Sequence, residues 1–130
     1  MRLKLPAEVE SLALVRREAE ALGERAGFDA SFVADLKTVL SEACGNVIRH
    51  AYMPGESGML EAEVVHEGEL LRVIVRDWGA GFGTQVRSAS TPGLHLGIQL
   101  IGALSRRMHV RSERGVGTEL EAEMSPEREA

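Results

Sequence analysis

Glu42, Asn46 and His50 stand four residues apart within Ser41-Glu42-Ala43-Cys44-Gly45-Asn46-Val47-Ile48-Arg49-His50-Ala51-Tyr52. On a helix this spacing stacks an acid, a carboxamide and an imidazole in one polar line, each step about 6 Å. The line lies roughly 60° around the helix from Val39 and Ala43, so it borders the apolar stripe. A bordering polar line needs partners or a ligand, or else it is a solvated helix edge. Asn46 beside Gly45 is a poor choice for a helix interior, which weighs towards function. A second constellation is Val73-Ile74-Val75-Arg76-Asp77-Trp78-Gly79-Ala80-Gly81-Phe82-Gly83. Asp77 continues the odd-numbered apolar series Leu71, Val73, Val75, so its carboxylate faces the core and needs a hydrogen-bond donor. The amino group of a base would serve; the plain alternative is a turn residue opening a glycine loop. Thr91-Pro92-Gly93-Leu94-His95-Leu96-Gly97 leads into a helix, where backbone amides and the helix dipole can cradle a phosphate. A flexible loop explains that stretch equally, and no Gly-Lys-Ser/Thr P-loop occurs. Gly115-Val116-Gly117-Thr118 opens the last strand, and Thr118 shares parity with Leu120, Ala122 and Met124, which directs its hydroxyl inward near Asp77.

The elements that must position these residues follow from periodicity. Leu3 and Leu5 alternate with Arg2 and Lys4, a short strand ended by Pro6. Val9, Leu12, Val15, Ala19, Leu22 and Ala26 form one helical stripe, stopped at Gly27. Asp29 or Ser31 caps a second helix with the stripe Phe32, Leu36, Val39, Leu40, Ala43 and Val47, running to about Tyr52. Alternation over Leu60–Val64 and Leu71–Val75 predicts a hairpin turning near Glu67-Gly68. A helix from about Leu96 to Ser105 and strands near 108–113 and 117–124 close the chain around Gly115. The order β-α-α-β-β-α-β-β predicts an α+β fold, a mostly antiparallel sheet with helices on one face.

The chain has 130 residues, one domain's worth, with a frayed tail expected over residues 126–130. Its net charge is −5, which argues against nucleic acid as the main partner. One cysteine excludes an internal disulfide and a multi-thiolate zinc site, and fits a reducing compartment. Cys44 reads as a small buried side chain. No apolar run approaches a membrane span, and the N-terminus lacks a signal-peptide stretch, so a cytoplasmic protein is expected.

The order of the four constellations resembles the gyrase–chaperone–histidine-kinase ATPase superfamily over nearly the whole chain. Within it, Leu36-Lys37-Thr38-Val39-Leu40-Ser41-Glu42-Ala43, then Asn46 and His50-Ala51-Tyr52, is similar to the long-helix motif of bacterial anti-sigma-factor serine/threonine kinases. Arg76-Asp77-Trp78-Gly79-Ala80-Gly81 resembles their adenine-binding box. The resemblance implies a Bergerat-type ATP-binding fold, a two-layer sandwich with a mixed, mostly antiparallel sheet, over a single domain of residues 1–125. It implies Glu42 as general base and Asn46 as an oxygen ligand of Mg²⁺. It implies an ATP-binding set of Asn46, His50, Asp77, Gly79, Gly81, Gly93, Gly97 and Thr118, with Asp77 accepting from the adenine amino group. The sequence departs from the pattern where His95 replaces the first lid glycine, and the lid between Gly83 and Pro92 is short.

The implied function is ATP-dependent phosphorylation of a serine or threonine on an anti-anti-sigma partner, with sequestration of a sigma factor when that partner is absent or phosphorylated. The alternative is an ATP-gated binding module in a partner-switching system, without phosphotransfer. A homodimer is also implied, with Leu3 to Ala26 as candidate surface.

Overall fold

The computed structural model describes residues 1–81 and 94–126. Among the described residues five strands form one sheet: β1 (Arg2–Pro6), β2 (Met59–Glu67), β3 (Leu70–Asp77), β4 (Arg107–Glu113) and β5 (Gly117–Met124). The helices are α1 (Val9–Arg25), α2 (Ala30–Asn46) and α3 (Leu94–Ala103), and a π-helical turn, Val47–Ala51, extends α2. The element order is the one the periodicity predicts. The last helix lies two residues earlier than expected, and the segment after Asn46 is π rather than α.

The strand order is β1-β2-β3-β5-β4. Every described pairing is antiparallel, which corrects the expectation of a mixed sheet. The reason lies in the connections. The α3 crossover returns the chain so that β4 runs parallel to β3. The tight turn at Gly115 (φ +79°) then sends β5 back between them, so no parallel pair is adjacent.

Local chemistry accounts for the helix ends. Gly27, at φ +84°, closes α1 with two bonds, Gly27 N–H to the Glu24 carbonyl and Phe28 N–H to the Gly23 carbonyl. This is the Schellman arrangement, in which a left-handed residue satisfies the last helical carbonyls. Of the two candidate caps for α2, Asp29 is the one used: its Oδ1 accepts from Phe32 N–H at 2.9 Å.

The core lies between the sheet and the helices. Leu36, Val39, Leu40, Ala43 and Val47 from α2 and its extension meet Leu60, Ala62 and Val64, then Leu71, Val73 and Val75, then Leu120, Ala122 and Met124. Val15 and Ala19 of α1 and Ile101 of α3 complete it. Within each strand these residues share one parity, so the strand's opposite parity lines the other sheet face with charge. There Arg76 bonds Glu61 (2.7 Å), Glu63 (3.1 Å) and Glu119 (2.7 Å), while Arg2 reaches Glu61 and Arg111 reaches Glu119. Such alternation is what commits one sheet face to the helical layer, because a one-residue slip would bury the charges.

Candidate functional site

A cleft opens between the C-terminal half of α2 and the ends of β3 and β5. The residues on its wall include Asn46, His50, Asp77, Gly81 and Thr118, with Val75 and Ile98 among its apolar lining. Five of the residues named from sequence thus converge on one cavity, although 72 positions separate Asn46 from Thr118. The β3–β5 register sets Asp77 opposite Thr118, and the π turn aims His50 at them.

The helical side comes first. In a regular α-helix an i, i+4 line drifts about 40° per step, because each residue turns about 100°. A π turn, closed by i→i+5 bonding, spans the segment that follows, Val47–Ala51. The cleft face is Ala43, Asn46, Val47, His50 and Ala51. Glu42 is one position off this face. It is partly buried and stands beside Gly97, where an added Cβ would lie 3.1 Å from Glu42 Oε1 and 3.3 Å from both Asn46 amide atoms. The bare Gly97 backbone of α3 therefore rests directly on the acid and the amide. Asn46 is only 9% exposed. Its Oδ1 accepts from Arg49 Nη2 at 3.1 Å. Gly45 makes room for this bond, since a Cβ there would lie 2.9 Å from Arg49 Nη1.

His50 Nε2 is buried and has no hydrogen-bond partner among the described residues. Burial, with the nearby Arg49 charge as a smaller influence, lowers its pKa below the usual 6.5. The sign for stability follows. Between the unfolded value and the lower folded one, the unfolded chain binds a proton that the native chain refuses, so stability is present above that window and falls as pH falls through it. The melting temperature should therefore drop as pH is lowered below the usual imidazole value of 6.5, and His50→Gln should drop less over the same interval. Equal slopes in thermal melts of the two proteins would remove His50 as the source.

On the sheet side, Asp77 is 8% exposed at the end of β3. Burial raises its pKa, and bonds from the backbone N–H groups of Gly79 and Thr118 hold it down in part. The Gly79 bond is 2.9 Å to Oδ1. The Thr118 hydroxyl pairs with Ser112 Oγ at 2.8 Å, closing the strand end beneath Asp77. The glycines of the loop are explained by backbone crowding from the protein itself. A Cβ on Gly79 would lie 2.0 Å from the Ala51 carbonyl oxygen; on Gly81, 2.3 Å from the Glu113 carbonyl; on Gly117, 2.1 Å from the Asp77 carbonyl. Gly81 also has φ +74°, a conformation that favours glycine. Gly93 and the lid from Gly83 to Pro92 lie outside the described residues, as does the side chain of His95.

Sequence reasoning attached no role to three groups that hold this site together: Arg49, the Ala51 carbonyl and Tyr52. Ala51 and Tyr52 carry a signal, as part of the quoted His-Ala-Tyr run. Cys44 is buried, and burial pushes its thiol up to about 12, so it stays protonated at neutral pH. Among the described residues no group of three or more His, Cys, Asp or Glu could hold a metal by itself. A Mg²⁺ ion at Asn46 would share its remaining ligands with nucleotide phosphates and water, which suits a cation usually held by few protein groups. Asn46 Oδ1, which accepts from Arg49 Nη2 in this structure, is the oxygen such an ion would use. Among the described residues no helix is long and apolar enough to cross a membrane.

Comparison with known proteins bears on the family and the fold. Residues 5–124 match the family model of the histidine kinase-like ATPase domain. The serine-protein kinase RsbW of Bacillus velezensis is 30% identical, over 97% of this chain and 86% of its own length. RsbW of Listeria monocytogenes is 35% identical over 65% of this chain and 54% of its own length, so that match spans about half of the relative. Among solved structures, the RsbU and RsbW domains of a Mycobacterium tuberculosis protein superpose with TM-score 0.68 at 21% identity, covering 100% of this chain and 34% of that one. The histidine kinase domain of the blue-light activated kinase of Erythrobacter litoralis gives TM-score 0.61 at 23% identity, over 88% of this chain and 60% of that one. The two structures speak for the fold, whereas the domain match and the 30% relative speak for descent: the chain belongs to the family of histidine kinase-like ATPase domains and, within it, groups with the RsbW serine-protein kinases.

Proposed function

We propose that this protein binds Mg-ATP in the α2–β3–β5 cleft and transfers the γ-phosphoryl group to a serine or threonine of an anti-anti-sigma partner. In the same reading it sequesters a sigma factor when that partner is absent or phosphorylated, and does so in the cytoplasm, as a homodimer through β1 and α1. The observation that carries the reading is the gathering of Asn46, His50, Asp77 and Thr118 on one cleft, with Glu42 at its rim against Gly97. The names of the RsbW relatives supply the serine-kinase assignment.

The residues divide the work. Asp77, buried and already fixed by Gly79 N–H, has acceptor capacity left for an exocyclic amino group. Val75, Val47 and Ile98 exclude water from the flat faces of a base. Asn46 Oδ1, released by Arg49, offers an oxygen towards the phosphates. Mg²⁺ would hold those phosphates and offset their charge there. Glu42 takes the proton of the acceptor hydroxyl as its oxygen bonds the γ-phosphorus and the bond to the ADP oxygen breaks.

The direct test is labelled ATP with candidate anti-anti-sigma proteins, followed by identification of the labelled residue. Label on serine or threonine supports the kinase; partner binding that depends on ATP without label would assign the ATP-gated module instead. Metal dependence gives a second check. Asn46→Ala should weaken ATP binding in Mg²⁺ while metal-free ADP binding suffers less, as read by calorimetry with and without EDTA. Equal losses in both conditions would reduce Asn46 to packing.

A further inference from the structure

Three successive backbone N–H groups leave the end of β3, at Trp78, Gly79 and Ala80. Each has its own acceptor. Trp78 N–H donates to the Tyr52 hydroxyl at 3.0 Å, Gly79 N–H to Asp77 Oδ1 at 2.9 Å, and Ala80 N–H to the Ala51 carbonyl at 3.3 Å. Two of the three acceptors thus belong to residues 51 and 52, where the π turn ends. The loop carrying the Asp77 carboxylate is hung on the end of the helix that carries Asn46 and His50.

Tyr52 is the side-chain member of this pair, and its position is built. Its hydroxyl accepts from Trp78 and donates to the Met59 carbonyl at 2.6 Å, so both of its principal hydrogen-bonding directions are used. Its ring lies directly over Gly58, where a Cβ would meet ring carbons at 2.2–2.3 Å. Gly58 in turn accepts from Ala7 N–H at 2.9 Å, which ties the ring's seat to the residue after β1. Trp78 itself is 47% exposed, so little packing of its own side chain holds the backbone there. The Lys4 ammonium lies 4.6 Å from its ring centroid, a contact to the side chain and not to the backbone. Without the hydroxyl, the peptide between Asp77 and Gly79 would lose its anchor, and Gly79 N–H is the group that orients Asp77 Oδ1.

We propose that Tyr52 is a positioning residue for base recognition, its hydroxyl fixing the Trp78 peptide so that the Asp77 carboxylate is held ready for an exocyclic amino group. The proposal rests on the reading of Asp77 as the acceptor for adenine. Tyr52 does not line the cleft, so it acts on the base only through the loop.

The test is Tyr52→Phe, which keeps the ring on Gly58 and deletes the hydroxyl. Affinities for ATP and for inosine triphosphate are measured by calorimetry on the full chain. The inosine nucleotide carries the same triphosphate with a carbonyl in place of the amino group. ATP affinity should fall about fivefold, the scale of one net hydrogen bond, while inosine triphosphate affinity stays within about twofold of the parent's, so discrimination narrows. Exchange of the Trp78 amide proton, followed by NMR without nucleotide, should quicken in the variant. A uniform fall for both nucleotides, or full retention of the ATP preference, overturns the role of Tyr52. Gly58→Ala takes away the ring's seat but leaves the hydroxyl in the chain, and it must narrow the same ratio if Tyr52→Phe does not fold; an unchanged ratio there also overturns the proposal. A parent protein that binds the two nucleotides equally overturns the Asp77 reading beneath it, a result separate from either variant.

Discussion

Glu42→Gln should abolish most phosphate transfer while leaving ATP bound. The substitution keeps the shape of a side chain that lies against Gly97, next to Asn46, so packing at that contact is preserved. What it removes is the capacity to take the hydroxyl proton in the transition state. Transfer to the partner should fall roughly 10²–10⁴-fold, the usual contribution of a positioned base. ATP affinity should change little, because an interaction made only in the transition state does not contribute to ground-state binding. Single-turnover transfer and calorimetric ATP binding on the same preparations separate the two quantities. Transfer at the parent rate would take Glu42 out of the mechanism, and lost ATP binding would recast it as part of the metal or structural shell.

Asp77→Asn should cost binding without costing stability. An amide presents a donor as well as an acceptor where the adenine amino group needs an acceptor. The mismatch should weaken ATP binding by about 1–3 kcal/mol, or roughly 5- to 150-fold, the scale for a buried polar group left unsatisfied. Selectivity for ATP over GTP should shrink with it. Stability should move the other way. Burial raises the folded pKa of Asp77, although Gly79 and Thr118 oppose part of that rise. A folded pKa above the unfolded one means stability is full below the unfolded value and is lost as pH rises through the folded value. At neutral pH the buried carboxylate is therefore a cost to the fold, and its neutral isostere should melt at the parent temperature or above it. Thermal melts at neutral pH and nucleotide titrations check both halves. A variant that binds ATP as the parent does, or that unfolds at lower temperature, would show Asp77 to be a strand-end structural residue.

Much of this protein was legible before any coordinates. Alternation in Leu60–Val64 and Leu71–Val75, and the three- and four-residue steps of Val9 to Ala26 and Phe32 to Val47, are local patterns. Each element must bury one face, so the pattern alone declares the element and the side it hides. Parity carried further. Because side chains alternate along a strand, Asp77 and Thr118 could be assigned inward from their neighbours, and the register setting them opposite one another agrees. The Asp29 cap and the Gly27 stop are equally local.

What the sequence could not decide is everything that depends on two distant segments meeting. No local pattern announces the π turn at Val47–Ala51, the segment that carries His50 on the cleft wall. The insertion of β5 between β3 and β4 is also a product of long-range pairing, since a hairpin at Gly115 is compatible with either edge. The glycines show the difference most directly. Sequence alone marks Gly79, Gly81 and Gly97 as places where something comes close. The tertiary structure identifies the close neighbours as the Ala51 carbonyl, the Glu113 carbonyl, and the Glu42 and Asn46 side chains. The reason is physical: a missing side chain records that space is needed, and only the packed chain determines which atoms take it.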